Sequence, residues 1–353
     1  MAVTMTGKRL HPSYARETRR RLTAIAGCAA VLALLVMLDL TSGPSGLPLA
    51  ELRRALLAGP NGDDRMAATI LWHLRMPQTA MGVLVGMCLG LAGLQMQTIL
   101  ANPLASPFTL GFSAAAGFGA ALAIMFGAWI PAPAFLVTPL SAFLMTLLAC
   151  GLVYSIAVLR GSRPEILVLA GIAVLFFFQS MQSLMQFLAS PEVLQQIVFW
   201  LFGSLLKATW TSVLVVSIIL VACLPLLMRD AWLLTTLRLG DANAASLGMN
   251  VDAFRRRSFL LVAVLTAAAV SFVGTIGFVG LIAPHAARAV VGEDHRFSLP
   301  VSAMTGAIIL IGASVFGKII SPAAVIPVGI ITAVAGVPIL FAVIVRRGSG
   351  DLS

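Results

Sequence analysis

From Leu22 onward, long apolar runs alternate with short polar breaks. A run of roughly 20 apolar residues is long enough to cross a bilayer as a helix. The pattern predicts ten such spans, at 22–40, 77–100, 108–128, 134–159, 166–189, 211–228, 258–276, 278–292, 298–317 and 325–345. The break at 41–74 is polar and turn-rich, with a short amphipathic helix predicted near 48–57. The eighth run is short for a crossing. The stretch Gly274-Thr275-Ile276-Gly277-Phe278-Val279-Gly280 before it reads as unwound backbone lining a cavity, the setting in which irregular structure is tolerated at membrane depth.

One stretch carries more pattern than the rest. Arg75 and Pro77 open an apolar run at what reads as a membrane edge, and Gly82, Gly86 and Gly90 follow at four-residue spacing. That spacing puts the three glycines on one helical face, where small residues let transmembrane helices approach backbone to backbone. A double-proline break, Asn102-Pro103-Leu104-Ala105-Ser106-Pro107, ends the run, and a second glycine-rich span begins at once.

Composition agrees with a polytopic membrane chain. Apolar residues make up 59% of the 353 and charged residues 10%, and the mean hydropathy is +1.01. The net charge of +10 would fit nucleic acid, but its distribution has another reading. With ten spans, seventeen of the 23 basic residues fall on the side of the termini and six on the other. The positive-inside bias therefore predicts cytoplasmic termini, with a tail at 1–21, a membrane domain at 22–345 and a second tail at 346–353. A retained first span is expected rather than a cleaved signal, because no small-residue cleavage site follows the first run. Cys28, Cys88, Cys150 and Cys223 all sit in apolar runs without CxxC or Cys/His spacing and read as small core residues.

Chemistry is sparse. Gln179, Gln182 and Gln186 recur at helical spacing and predict a wet, uncharged pathway wall. His285 and Arg288 lie one turn apart after Pro284 and read as structural. The run Gly312 to Lys318 imitates a phosphate-binding loop, but Ile319 stands where a Ser or Thr would hold magnesium, and the run ends an apolar span. No acidic residue is expected inside the membrane, Asp39 being the deepest, which argues against a proton- or cation-coupled carrier. No catalytic set and no metal site are expected.

Several ordered segments carry a resemblance. They are Arg75-Met76-Pro77, Asn102-Pro103-Leu104-Ala105, Leu169-Ala170-Gly171-Ile172 and Phe199-Trp200-Leu201-Phe202-Gly203-Ser204, then Leu239-Gly240-Asp241 through Ala245-Ser246-Leu247-Gly248. Gly277-Phe278-Val279-Gly280-Leu281-Ile282-Ala283-Pro284-His285 and Pro327-Val328-Gly329-Ile330-Ile331-Thr332 complete the set. In order and spacing the chain resembles the FecCD family of ABC-importer permeases, which carry ferric siderophores, haem and cobalamin. The resemblance implies an all-α, ten-helix, type II importer architecture in the bacterial inner membrane. It implies a second permease subunit, two cytoplasmic ATPases that bind ATP and magnesium, and a periplasmic binding protein. It also implies roles. Segment 239–251, with Leu239, Gly240, Asp241, Ala245, Ser246, Leu247 and Gly248, would seat on the ATPase. Arg75 and Lys318 would meet the binding protein, and Asn102 and Leu104 would form an inner gate facing Pro164 and Glu165. Gln78 stands where the family often has a second basic residue and Val325 where it often has an acidic one.

Overall fold

The structure, a computed structural model, describes residues 12–44, 46–62, 64–127, 133–321 and 325–348. Lys8, Arg9 and the end of the chain from 349 lie outside the described residues, as do the side chains of Arg346 and Arg347. In chain order the helices are α1 (Pro12–Thr41), α2 (Leu49–Ala58), α3 (Arg65–Ala68), a π-helical segment (Thr69–Arg75), α4 (Met76–Ile99), α5 (Phe112–Phe126), α6 (Ala134–Arg160) and α7 (Pro164–Leu188). They continue as α8 (Pro191–Leu201), α9 (Trp210–Leu237), α10 (Asp241–Ser246), α11 (Val251–Val273), α12 (Val279–Val291), α13 (His295–Ile320) and α14 (Val328–Gly348). No strand occurs among the described residues. Seven helical stretches are long and apolar enough to cross a membrane, and α5, α12 and α14 supply three shorter apolar helices. These ten correspond one to one with the ten predicted runs.

Helix ends define two ends of the bundle. At one, which we call the Arg75 end, the C-termini of α1 and α13 meet the start of α4, because Asp39, Thr79 and Lys318 are in contact. At the other, the Asn102 end, the C-terminus of α4 meets the starts of α11 and α13 through Arg255 and His295. The N-terminal half of α1 is tied there too, by Arg21 to Asp294 at 3.3 Å.

Helix α4 is the axis. In its stretch 78% of the most apolar window is buried, against 6% for α1, so α4 is surrounded by protein while α1 faces outward. Glycine makes this possible. A Cβ on Gly86 would lie 2.6 Å from the Ala307 Cα, and one on Gly90 would overlap the Ser302 carbonyl oxygen. Ser302 Oγ donates to the Gly90 carbonyl at 2.8 Å. The predicted glycine face is thus the α4–α13 crossing. A fourth glycine outside the predicted set is as tight: a Cβ on Gly93 would overlap the Gly280 carbonyl of α12.

Three local features depart from expectation. The helix carrying Arg75 starts at Arg65 and runs unbroken to Ile99, so Arg75 and Pro77 lie inside it rather than at its start. Pro77 has no N–H for the His73 carbonyl, and its ring would clash there. The chain absorbs this as a π segment, in which the Met76 N–H bonds to the Leu71 carbonyl five residues back. Helix α8 was not anticipated. Ser190 caps it by accepting from the Val193 N–H, and Pro191 opens its first turn. Helix α1 starts at Pro12, which brings half of the predicted N-terminal tail into the first helix. The expected unwound run is present: Gly274 and Phe278 both have positive φ, at 79° and 65°, and α12 begins only at Val279.

Candidate functional site: the two ends of α4

At the Arg75 end, Asp39 is completely buried. Its carboxylate accepts from Thr79 Oγ1 at 2.6 Å, Ser314 Oγ at 2.7 Å and Lys318 Nζ at 2.7 Å. Arg75 Nη1 donates to the Leu40 and Thr41 carbonyls at 2.7 and 3.2 Å, which are orphan acceptors at the C-terminus of α1. Arg75 and Lys318 therefore stand together at one end, as the sequence implied. Yet they are only 5% exposed as a residue and 7% exposed as a side chain, and both are bonded within the chain. They line the floor of a cleft of about 220 Å³ that also includes Gln78, Ser204, Leu206 and Val325. The exposed cations at this end are Arg53, Arg54, Arg65 and Lys207.

The expectation that no acid is buried does not hold. Asp39 and Asp230 are both fully buried. Each answers a cation, Asp39 through Lys318 and Asp230 through Arg257 at 2.6 Å. A carboxylate without such a partner would carry a large desolvation cost. Both lie near helix ends, where a basic side chain from a neighbouring helix reaches them.

The Asn102 end is built around α10. Gly240 and Gly248, with φ of 94° and 87°, bracket the helix. The Met249 N–H bonds to the Ala244 carbonyl at 3.1 Å and the Gly248 N–H to the Ala245 carbonyl at 2.9 Å. This is the Schellman closure, with glycine at the left-handed position. Ala244 is buried and anchors the helix, whereas Ala245, Ser246 and Gly248 are exposed. Leu239 and Leu247 flank this small-residue surface at 60% and 68% exposure. Two bulky apolar side chains therefore stand open on a turn closed by glycine.

Behind α10 lies a residue that sequence reasoning counted only as a topological charge. Arg255, in the second turn of α11, is 2% exposed. Its Nε donates to the Ile99 carbonyl at 2.7 Å, its Nη1 to the Ser162 carbonyl at 3.1 Å, and both Nη atoms to Asp241 at 3.1 and 2.9 Å. Ser162 Oγ in turn donates to Asp252 Oδ1 at 2.6 Å.

The remaining candidates fall as follows. Asn102 is exposed and forms a side-chain turn, its Oδ1 accepting from the Leu104 N–H at 2.9 Å. Leu104 is exposed on the same loop. Pro164 opens α7 with Glu165 exposed in its first turn. Arg255 links the two segments through Ile99 and Ser162. Of the three glutamines on α7, Gln179 is exposed and Gln186 is half-buried. Gln182 packs toward α5, where a Cβ on Gly117 would overlap its Oε1. Gln97 Nε2 donates to the Leu281 carbonyl at 3.2 Å and its Oε1 accepts from Arg288, whereas Gln95 is fully buried. His285 Nδ1 donates to the Leu281 carbonyl at 3.0 Å within its own helix. Outside the helices, hydrogen bonding and ion pairing from Arg296 hold the Asp294 carboxyl below the usual carboxylate range. The four cysteines are free. No group of three or more His, Cys, Asp or Glu side chains comes together among the described residues.

Ten apolar helices, one of them a glycine-packed central axis, with an exposed turn at one end and two buried cations at the other, define a multi-pass membrane protein. The FecCD transport family model matches residues 31–346. The chain belongs to that family, whose members are ABC transporter permeases. It is 37% identical over 295 residues to a cobalamin import system permease of Halobacterium salinarum, covering 83% of this chain and 78% of that one. It is 33% identical over 323 residues to an Fe(3+) dicitrate transport system permease of Escherichia coli K12, covering 92% and 96%. A solved structure described as an inward-facing conformation of a metal-chelate type ABC transporter superposes with a TM-score of 0.80 at 29% identity. That match covers 92% of this chain and 98% of the other.

Proposed function

We propose that this chain forms half of the translocation pathway of an ATP-driven importer for a metal chelate, with ferric siderophore as the cargo. The observation that carries the importer reading is α10: an exposed small-residue turn, closed at both ends by glycine and flanked by Leu239 and Leu247. It has the form of a seat for a separate ATPase, which would hold the ATP and magnesium. In this reading two permease subunits, identical or paralogous, pair around a common pathway, and two ATPases bind the Asn102 end.

The seventeen basic residues predicted at the Asn102 end, against six at the other, favour an inner-membrane protein with that end cytoplasmic. A periplasmic binding protein then docks at the Arg75 end. Arg75 and Lys318 set the floor of that mouth, and the exposed Arg53, Arg54, Arg65 and Lys207 add positive charge around it. Asn102 and Leu104, with Pro164 and Glu165, form the inner gate in this reading.

In this reading the pathway wall, which includes Gln179, Gln182 and Gln186, is uncharged and takes a bulky, pre-chelated cargo. The outward face of α7 presents Phe176, Phe177, Gln179 and Leu184, apolar and amide groups without charge. Such a wall suits a ligand whose metal is already satisfied by its chelator, rather than a bare ion. Cobalamin is the second reading, favoured by the Halobacterium salinarum relative, and haem has the same chemical requirements.

Purified permease, ATPase and binding protein in proteoliposomes should accumulate labelled ferric siderophore, with an excess of haem or cobalamin failing to compete. Uptake of cobalamin or haem in place of the siderophore would overturn the cargo assignment. The seat is tested by Leu247→Glu. A carboxylate in an apolar docking contact is desolvated without a partner, so ATPase co-purification should drop by about tenfold or more. Retention of the ATPase at the unaltered level would contradict the seat.

A further inference from the structure

We propose that Arg255 is the positioning residue through which movement of α10 reaches the inner mouth of the pathway. The inference rests on reading α10 as the ATPase seat and deepens it. The seat itself is a surface feature, and something must join it to the pathway. Three segments converge on the Arg255 guanidinium: Asp241 at the start of α10, the Ile99 carbonyl at the last turn of α4, and the Ser162 carbonyl in the turn between α6 and α7. Ile99 leads directly into the Asn102–Leu104 loop, and Ser162 leads into Pro164 and Glu165. One rigid fork therefore holds the seat and both sides of the candidate gate.

The chemistry favours linkage over simple packing. Guanidinium is planar and can satisfy three acceptors in fixed directions, whereas a lysine ammonium is a point charge and cannot reproduce that fork. The Ile99 carbonyl lies in the last turn of α4, where a helix has no N–H of its own to offer. Asp241 is the partner that solvent can reach: its side chain is 52% exposed while that of Arg255 is 2% exposed. A displacement of α10 pulls on Asp241, and the bidentate pair passes the pull to a buried guanidinium that is bonded on its other sides to the Ile99 and Ser162 carbonyls. Asp252 supports the same turn by accepting from Ser162 Oγ, so Ser162 is gripped from α11 on both its carbonyl and its hydroxyl.

The test uses the whole transporter, permease with ATPase and binding protein, reconstituted in proteoliposomes. It reads the ratio of substrate imported to ATP hydrolysed. Asp241→Asn keeps the size of the side chain but weakens the paired contact on its exposed side, and Arg255→Lys keeps the charge but removes the fork. In Arg255→Lys, ATP hydrolysis should stay close to the unaltered rate while the import-to-hydrolysis ratio falls by about tenfold; in Asp241→Asn, a residue of the seat itself, the ratio should fall by about as much whatever its own rate of hydrolysis. The double variant should be no worse than the worse single one, because both changes break one link.

An unchanged ratio in Asp241→Asn overturns the proposal. So does a fall of import and hydrolysis in equal proportion, which is the signature of a merely structural role. If Arg255→Lys does not assemble, Asp241→Asn decides alone. Loss of the ATPase in Leu247→Glu together with an unchanged ratio in Asp241→Asn would overturn the Arg255 link while leaving the seat intact.

Discussion

Gly93→Val should yield no folded permease. The Cβ of any residue at 93 would overlap the carbonyl oxygen of Gly280, which is backbone and cannot rotate away. Nor can α12 recede easily. Gln97, one turn on, is bonded to both the Leu281 carbonyl and Arg288, and a Cβ on Gly280 itself would lie 3.0 Å from the Leu89 carbonyl. Overpacking against side chains costs about 1–3 kcal/mol, and an obstacle made of backbone on both helices belongs at or above the upper end of that range. Gly82→Ala is the control. Its new methyl would meet Ile311 Cδ1 at 2.7 Å, the free end of a flexible side chain, so the cost should be small. Monodisperse yield after detergent extraction and the midpoint of thermal unfolding separate the two. Equal behaviour of the two variants would mean that the α4–α12 approach is not rigid.

The second large effect is expected at Asp39. Asp39→Asn removes the charge that answers Lys318 and leaves a buried ammonium beside Arg75 with only neutral partners. Breaking a buried ion pair from one side costs about 3–5 kcal/mol, while replacing both partners is close to neutral. The double variant Asp39→Asn with Lys318→Met should therefore recover most of the thermal stability that Asp39→Asn alone loses. If the double variant is as unstable as Asp39→Asn, the loss comes from the Thr79 and Ser314 contacts rather than from the charge. This order of stabilities also shows whether Lys318 is held for the fold or kept available for a docking partner.

Much of the architecture was legible because a bilayer leaves few choices. Apolar runs of sufficient length must be helices, and the ten runs read from hydropathy reappear as ten apolar helices. The glycine face of α4 was legible for a similar reason, since four-residue spacing has one geometric meaning.

What escaped were contacts between elements far apart in sequence. Gly93 falls outside the four-residue series because it serves a different neighbour, α12 rather than α13. Helix α8 is an 11-residue helix with exposed Glu192 and Gln195, too short and too polar to register as a span. Arg75 reads as the edge of a helix because a charged residue and a proline stand two positions apart there, but the π segment carries the helix through Pro77. Asp39 and Lys318 are 279 positions apart, and Ile99 and Arg255 are 156 apart. At the sequence level Asp39, Lys318 and Arg255 are each one more charge near the end of a span, and Ile99 is one more apolar residue. Only the fold shows that the first pair closes one end of α4 and the second braces the other.

The measurement that bears most directly on the account is ATP-driven import by the assembled system. Proteoliposomes containing this permease and its ATPase should accumulate the chelate only when binding protein is present outside the delivering face and ATP on the Asn102 face. Uptake should stop when ATP is replaced by a non-hydrolysable analogue. Accumulation that persists without ATP, or that follows a proton or sodium gradient instead, would contradict it.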